Sequence, residues 1–189
     1  GEPNVDGAIG IEEQIARAAG EAPEPVLVSR ALQATWGLFT GTMLYSIAVG
    51  GLFSLVFAFC WGRMGRLSAR ASSAVIAVMS LVTIYIVPNL KYPANPPSVG
   101  NPETIGYRTA LYFGMIVISI IAMVAAINLG KSLVGRFDKW HATIIAAALY
   151  LVVVIIAFAV LPNINEVPAQ FPATLLWQFR LASLGMQME

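Results

Sequence analysis

The sequence predicts an all-α fold, a multi-pass transmembrane helix bundle with four complete spans, proline-rich outer loops and short interfacial helices. Composition is the first observation behind this. Of 189 residues 58% are hydrophobic and 11% charged, with a mean hydropathy of +0.74, far from a soluble domain. The second is that four runs, 37–62, 71–90, 109–130 and 140–165, contain no Asp, Glu, Lys or Arg. About 20 apolar residues cross a bilayer core, so each run is long enough. The third is that the charges gather between those runs and differ in sign from one side to the other. The chain is therefore read as a single membrane domain, 1–189, with spans at about 37–62, 71–90, 109–130 and 140–162. Residues 1–36 form an outer amphipathic segment, and 88–108 and 163–180 form outer loops.

Taken in order, Asp6 to Ala19 places Ile11, Ile15 and Ala18 on one face, sets Glu13 four residues before Arg17 and ends near Gly20. That pattern predicts a short amphipathic helix lying along a membrane surface. The stretch GEAPEP then breaks the chain, and a second helix starting near Leu27 to Ser29 is expected to run on into the first span. Within that span Gly37 and Gly41 form a GxxxG, and Gly50 and Gly51 extend the small-residue surface. Small residues let another helix approach closely, and packing inside the bundle is expected in preference to dimerisation. The single Cys60 reads as a small apolar residue near a helix end.

The second span is expected to stop at Ile86-Val87-Pro88, because proline pushes the preceding residue out of helical geometry. The connector Lys91–Arg108 holds four of the eleven prolines, so no helix runs through its first half. Its second half is a helix start: Asn101 as N-cap, Pro102 at the first helical position and Glu103 facing the positive end of the dipole. Asp138 is placed to cap the fourth span, with His141 just inside it as an interface residue. Pro162, Pro168 and Pro172 constrain a second outer loop, and Pro172 opens a helix containing Trp177 and Arg180. Leu181 to Met188 reads as the start of a further span, so flanking transmembrane segments are expected beyond both ends.

Charge sets the orientation. Arg63, Arg66 and Arg70 lie in one connector, and Lys131, Arg136 and Lys139 lie in another against a lone Asp138. Nine of the ten acids fall on the opposite side. The excess of basic residues in short loops marks the cytoplasmic face, which puts both termini on the outer side of the membrane. Trp36, Trp61, Trp140 and Trp177 bracket the spans as interface anchors among the membrane lipids.

No GxxxxGK[ST], HExxH, CxxC, GxSxG or GxGxxG pattern occurs. Neither an enzyme nor a nucleic-acid binder is therefore expected, nor a covalently bound cofactor. One His and one Cys cannot build a soft metal cage, so any cation site would use oxygen ligands. Glu12, Glu103, Glu166 and Asn95 on the outer face are the candidates, as an acidic vestibule that concentrates divalent cations. The competing account of the same residues is a solvated acidic face with helix caps. Lys91 and Arg180 are expected to pair with Glu103 or Glu166 and lock the loops. Pro93, Pro96, Pro97 and Trp177 complete a structural or docking surface.

Three stretches carry a resemblance: LKYPANPPSVGNPETIGYRTALY, NEVPAQFPATLLWQFRLASLG and GEPNVDGAIGIEEQIARAAG. Together they resemble the CbtA family, proposed integral-membrane subunits of bacterial cobalt transporters. The resemblance implies a multi-pass protein of the bacterial inner membrane, tied to Co²⁺ uptake and cobalamin biosynthesis, so that the outer side, with both termini, is the periplasmic one. It also implies a partner, CbtB, a small membrane subunit with a histidine-rich end. Two roles stay open: a cation-transporting subunit whose outer loops admit the ion, and an accessory or structural subunit packed into a larger membrane complex. The absence of charge inside the spans weighs toward the second, since a hydrated divalent ion needs polar groups at mid-membrane.

Overall fold

The computed structural model describes residues 2–18, 20, 28–96 and 99–188. Those residues form helices and their connections, with no strand among them. The helices are α1 (Glu2–Ala18), α2 (Arg30–Cys60), α3 (Ala69–Lys91), α4 (Ile105–Leu133), α5 (Lys139–Val160) and α6 (Ala173–Met188). Helices α2 to α5 are each long and apolar enough to cross a membrane. The chain divides into two compact units, Ile9–Met79 and Pro3–Ala8 with Ser80–Glu189.

In the Ile9–Met79 unit, α1 ends as its sequence predicts. Arg17 bonds Glu13 at 3.3 Å, and Gly20, at φ +77°, returns its N–H to the Arg17 carbonyl. Ile11 and Ile15 are half-buried, whereas Ala18 is exposed. The expected break at GEAPEP and the start at Leu27 fall on 21–27, outside the described residues. Ser29 caps α2 through its hydroxyl, which accepts the Leu32 N–H. The helix therefore begins well before residue 37, and its 31 residues reach about 46 Å, more than a bilayer core. It ends at Cys60, two residues short of the expected boundary, and Gly62 and Gly65 turn the chain at φ +77° and +73°.

Of the α2 glycines, Gly37 has a use within its own helix. At Gly37 a Cβ would meet the Leu32 carbonyl at 3.2 Å, because Gln33–Gly37 is wound as a π-helix. Gly37 thus serves a local turn of its own helix. At Gly41, Gly50 and Gly51 a Cβ would meet nothing within 4 Å, and no residue of the α2 span is buried.

In the other unit, α3 passes through the expected stop. It continues past Pro88 to Lys91, and the stretch before the proline, Leu81–Ile86, is π-helical, with the Val87 N–H reaching the Val82 carbonyl. The wider turn makes room for the pyrrolidine ring that a regular helix would crowd. Asp138 caps α5 by accepting the Trp140 N–H at 3.2 Å and also contacts His141.

Helices α4 and α5 pack along their length. Met115, Ser119, Ala122 and Ala126 form one stripe on α4, and Ala142, Tyr150, Val154 and Ala157 form its counterpart on α5. The period is that of one helix face, marked by small and polar residues rather than by hydrophobicity. At Gly130 a Cβ would come within 3.2 Å of the Ala146 Cβ, so the backbones approach closely there. Inside the seam the Ser119 and Tyr150 hydroxyls bond at 2.8 Å. Val87 of α3 joins the same core.

Candidate functional site

At the end of the second unit that bears the prolines, segments 92–96, 99–101 and 161–172 lie beside the ends of α3 and α5 and the starts of α4 and α6. A cavity of about 470 Å³ opens among them. Its walls are Tyr85 and Asn89 of α3, the run Tyr92–Pro96 with Val99, Arg108, Thr109 and Tyr112 of α4, Ile164–Glu166, and Arg180 and Ser183 of α6. Four sets of bonds fix these walls.

The first is the Lys91 ammonium. It donates to the Phe158 carbonyl at 2.7 Å and to Asn163 Oδ1 at 2.6 Å. Phe158 lies in the last turn of α5, where carbonyls lack helical partners and a cation complements the dipole. Next to it the Tyr92 hydroxyl donates to the Pro162 carbonyl at 3.0 Å. Burial pushes the Tyr92 phenol upward and nearby Tyr107 adds to this, so Tyr92 stays a protonated donor.

The second set surrounds Glu166. Its Oε1 accepts the Thr104 hydroxyl at 2.6 Å, its Oε2 accepts the Asn101 N–H at 3.0 Å, and Arg108 Nε lies 3.2 Å from Oε2 as an ion pair. The Thr104 hydroxyl, then the Asn101 N–H, and more weakly Arg108, hold the Glu166 carboxyl below the usual carboxylate range; partial burial opposes them and loses. Arg108 also donates to the Asn101 carbonyl at 3.3 Å. Gly100, at φ +121°, lets the guanidinium pass: a Cβ there would sit 2.7 Å from Arg108 Nη1.

The third set belongs to Arg180. Its Nε donates to the Ala94 carbonyl at 3.1 Å and its Nη2 to Asn95 Oδ1 at 2.9 Å. Burial lowers its pKa, but from so high a value that it stays charged. In the fourth, the Tyr85 hydroxyl lies 3.0 Å from the Ser183 carbonyl and 3.2 Å from the Ser183 hydroxyl.

The expected pairing of Lys91 and Arg180 with Glu103 or Glu166 is therefore corrected. Both cations bond neutral oxygens, because α5's exposed carbonyl end, the Ala94 carbonyl and the Asn95 side chain lie nearer than either carboxylate. The partner of Glu166 is Arg108, which sequence reasoning missed. A signal existed: Thr104 and Arg108 are four residues apart at the helix start, so they share a face with each other.

Of the expected metal donors, Glu166 and Asn95 line the cavity. Glu103 is exposed beside it, in the 3-10 turn Pro102–Thr104, where its N–H bonds the Asn101 side chain at 2.9 Å. The expected cap at Asn101 is thus made one turn ahead of α4. Glu12 lies on α1 in the other unit. Among the described residues no three His, Cys, Asp or Glu side chains gather as a metal-ligand group. Of the expected docking residues, Pro93 and Pro96 line the cavity, Trp177 is exposed on α6, and Pro97 lies outside the described residues.

A scan against protein families matched residues 1–189 to the family described as "Probable cobalt transporter subunit (CbtA)". Comparison with curated proteins gave no match, and neither did comparison with solved structures.

Proposed function

The chain belongs to the CbtA family of probable cobalt transporter subunits, and from that premise we propose that it forms the external mouth of such a transporter. The observation that carries this is the cavity of about 470 Å³, walled by segments far apart in sequence and held open by bonds from Lys91, Arg108, Glu166 and Arg180. A vestibule has to keep its shape while cargo enters and leaves, and contacts of this kind preorganise it. In this reading the connectors rich in Arg and Lys face the cytoplasm of a bacterial cell, and the cavity opens to the periplasm. Other segments or subunits, including a small histidine-rich membrane partner of the CbtB kind, supply the polar path at mid-membrane. Glu166 and Asn95 line the mouth, with Glu103 beside it; Glu12 belongs to the outer acidic surface, which draws cations toward it.

A second reading, an accessory subunit that mainly packs a larger complex, is favoured by α2. Its span has no buried residue, and Gly41, Gly50 and Gly51 leave an open face to which another helix can close.

One variant separates the two. Asn89→Trp fills the cavity from α3 without removing any of the four bond sets. Cobalt uptake by cells carrying the full-length protein and its membrane partners is expected to fall to background at unchanged membrane abundance. Uptake at the wild-type rate with the cavity filled overturns the mouth reading and leaves the accessory one.

A further inference from the structure

We infer that the cavity is a carboxylate-binding site, taking a small polycarboxylate either free or as its complex with a divalent cation. The role of that ligand as cargo rests on the mouth reading; its binding does not.

The argument is one of uncompensated charge. Three charged side chains line the cavity: Arg108, Glu166 and Arg180. Glu166 is fully engaged, with Thr104 on one oxygen, the Asn101 N–H on the other and Arg108 in an ion pair. That pair is neutral as a unit. Arg180 is part-buried, and both of its bonds go to neutral oxygens, the Ala94 carbonyl and Asn95 Oδ1. Among the described residues no carboxylate lies within ion-pair distance of it. A guanidinium has five N–H groups, and these two bonds leave three for a ligand.

A half-buried cation without a counter-ion is costly, and the group that relieves the cost is an anion with two coplanar oxygens matching the guanidinium fork. Asn89 and Asn165 add neutral amide donors to the lining. The volume suits a small organic ligand rather than a single ion. A bare divalent cation meets the opposite conditions: two guanidiniums in the same cavity, and a lone carboxylate whose oxygens are already bonded. Carried by a polycarboxylate, the same metal ion arrives with net negative charge, which the site accepts.

The test is calorimetric binding to the purified full-length protein in detergent at low salt, with citrate, cobalt citrate and cobalt chloride as probes. Citrate and cobalt citrate are expected to bind, and Arg180→Gln to weaken both by at least about tenfold, the worth of a charge-assisted contact. Arg180 also bonds the backbone, so that variant could fail to fold, and Asn165→Asp provides a second arm. It keeps an oxygen for the Val167 N–H that Asn165 Oδ1 now accepts and adds a negative charge to the lining. The same loss of affinity is expected there. Binding of cobalt chloride with no binding of citrate overturns the carboxylate proposal while the mouth reading stands. Citrate binding in wild type that neither variant weakens overturns it as well. If citrate binds as stated but cobalt uptake is unchanged in Asn165→Asp, the carboxylate site stands and its role as the mouth falls.

Discussion

The hydroxyl pair inside the α4–α5 seam gives the sharpest energetic test of how the helices are held. Ser119 is 0% exposed and Tyr150 7% exposed, and their hydroxyls bond at 2.8 Å. The two truncations differ in what they leave behind. Tyr150→Phe leaves a serine, whose hydroxyl can turn back to the helix carbonyl four residues earlier, so the loss is about 0.5 kcal/mol. Ser119→Ala leaves a phenol at the far end of a buried ring with no helical carbonyl of its own to reach, which costs about 1.5 kcal/mol. Within a bilayer such bonds couple by roughly 0.6 to 1.7 kcal/mol, so the double variant is expected to cost less than the two singles together. Reversible unfolding of wild type, both singles and the double in mixed detergent closes the cycle. Additivity within about 0.3 kcal/mol, or Tyr150→Phe costing more than Ser119→Ala, refutes the reasoning.

Three further outcomes follow from the same structure. Because Glu166's folded pKa lies below its ordinary value, the stability it contributes is complete above the usual carboxylate range and is lost as pH falls through the lowered pKa. Melting temperature is expected to drop in acid in wild type, while Glu166→Gln melts lower at neutral pH and shows less of that acid-side drop. At Gly130, substitution by Leu is expected to cost about 1 to 3 kcal/mol by forcing α4 from Ala146, whereas Gly114→Leu, where nothing lies within 4 Å, costs far less. Lys91→Met removes the donor at Phe158 and Asn163 and is expected to destabilise by about 2 kcal/mol, with faster amide exchange across 161–165 as the local readout.

The four spans were legible because a bilayer demands long uncharged runs, and no other fold places four of them so regularly. Their ends were less so. The helix beginning at Ser29 extends α2 far beyond the apolar run, since a hydroxyl cap and not hydropathy decides where it starts. Which face of each span is buried was hidden altogether. In α4 and α5 both faces are apolar, and the buried one is distinguished only by Ala, Ser and a tyrosine hydroxyl. The GxxxG of α2 marks where close approach is possible, and a motif of that kind does not name the helix that closes on it. Of the residues that line the cavity, the sequence named Glu166, Asn95 and Arg180 as candidates, but it paired opposite charges by sign. Geometry preferred nearby carbonyls, and position along a chain does not say which carbonyl is near.

Pro88 shows how a local rule and the fold were reconciled. Proline removes one N–H and crowds the preceding turn, which is why the sequence predicts a stop at that point. A helix ending at Val87 would release the backbone before Asn89 and Lys91. The π-helical stretch Leu81–Ile86 takes up the steric conflict upstream, and α3 keeps its final turn, Val87–Lys91. Three side chains then arrive together from one rigid element: Tyr85, which meets Ser183; Asn89, in the cavity wall; and Lys91, which caps α5. Irregular helical turns of this kind recur at functional sites. Here the irregular stretch itself reaches the cavity through Tyr85, and the cavity's α3 wall depends on it. Replacing Pro88 with Ala would restore an N–H and permit a regular helix, so the expected consequence is a rotation of Asn89 and Lys91 relative to Tyr85 rather than a gain in order. Weakened citrate binding together with faster exchange at 161–165 in Pro88→Ala is the combined signature, and a variant that keeps both properties at wild-type levels shows the π-helical turn to be incidental.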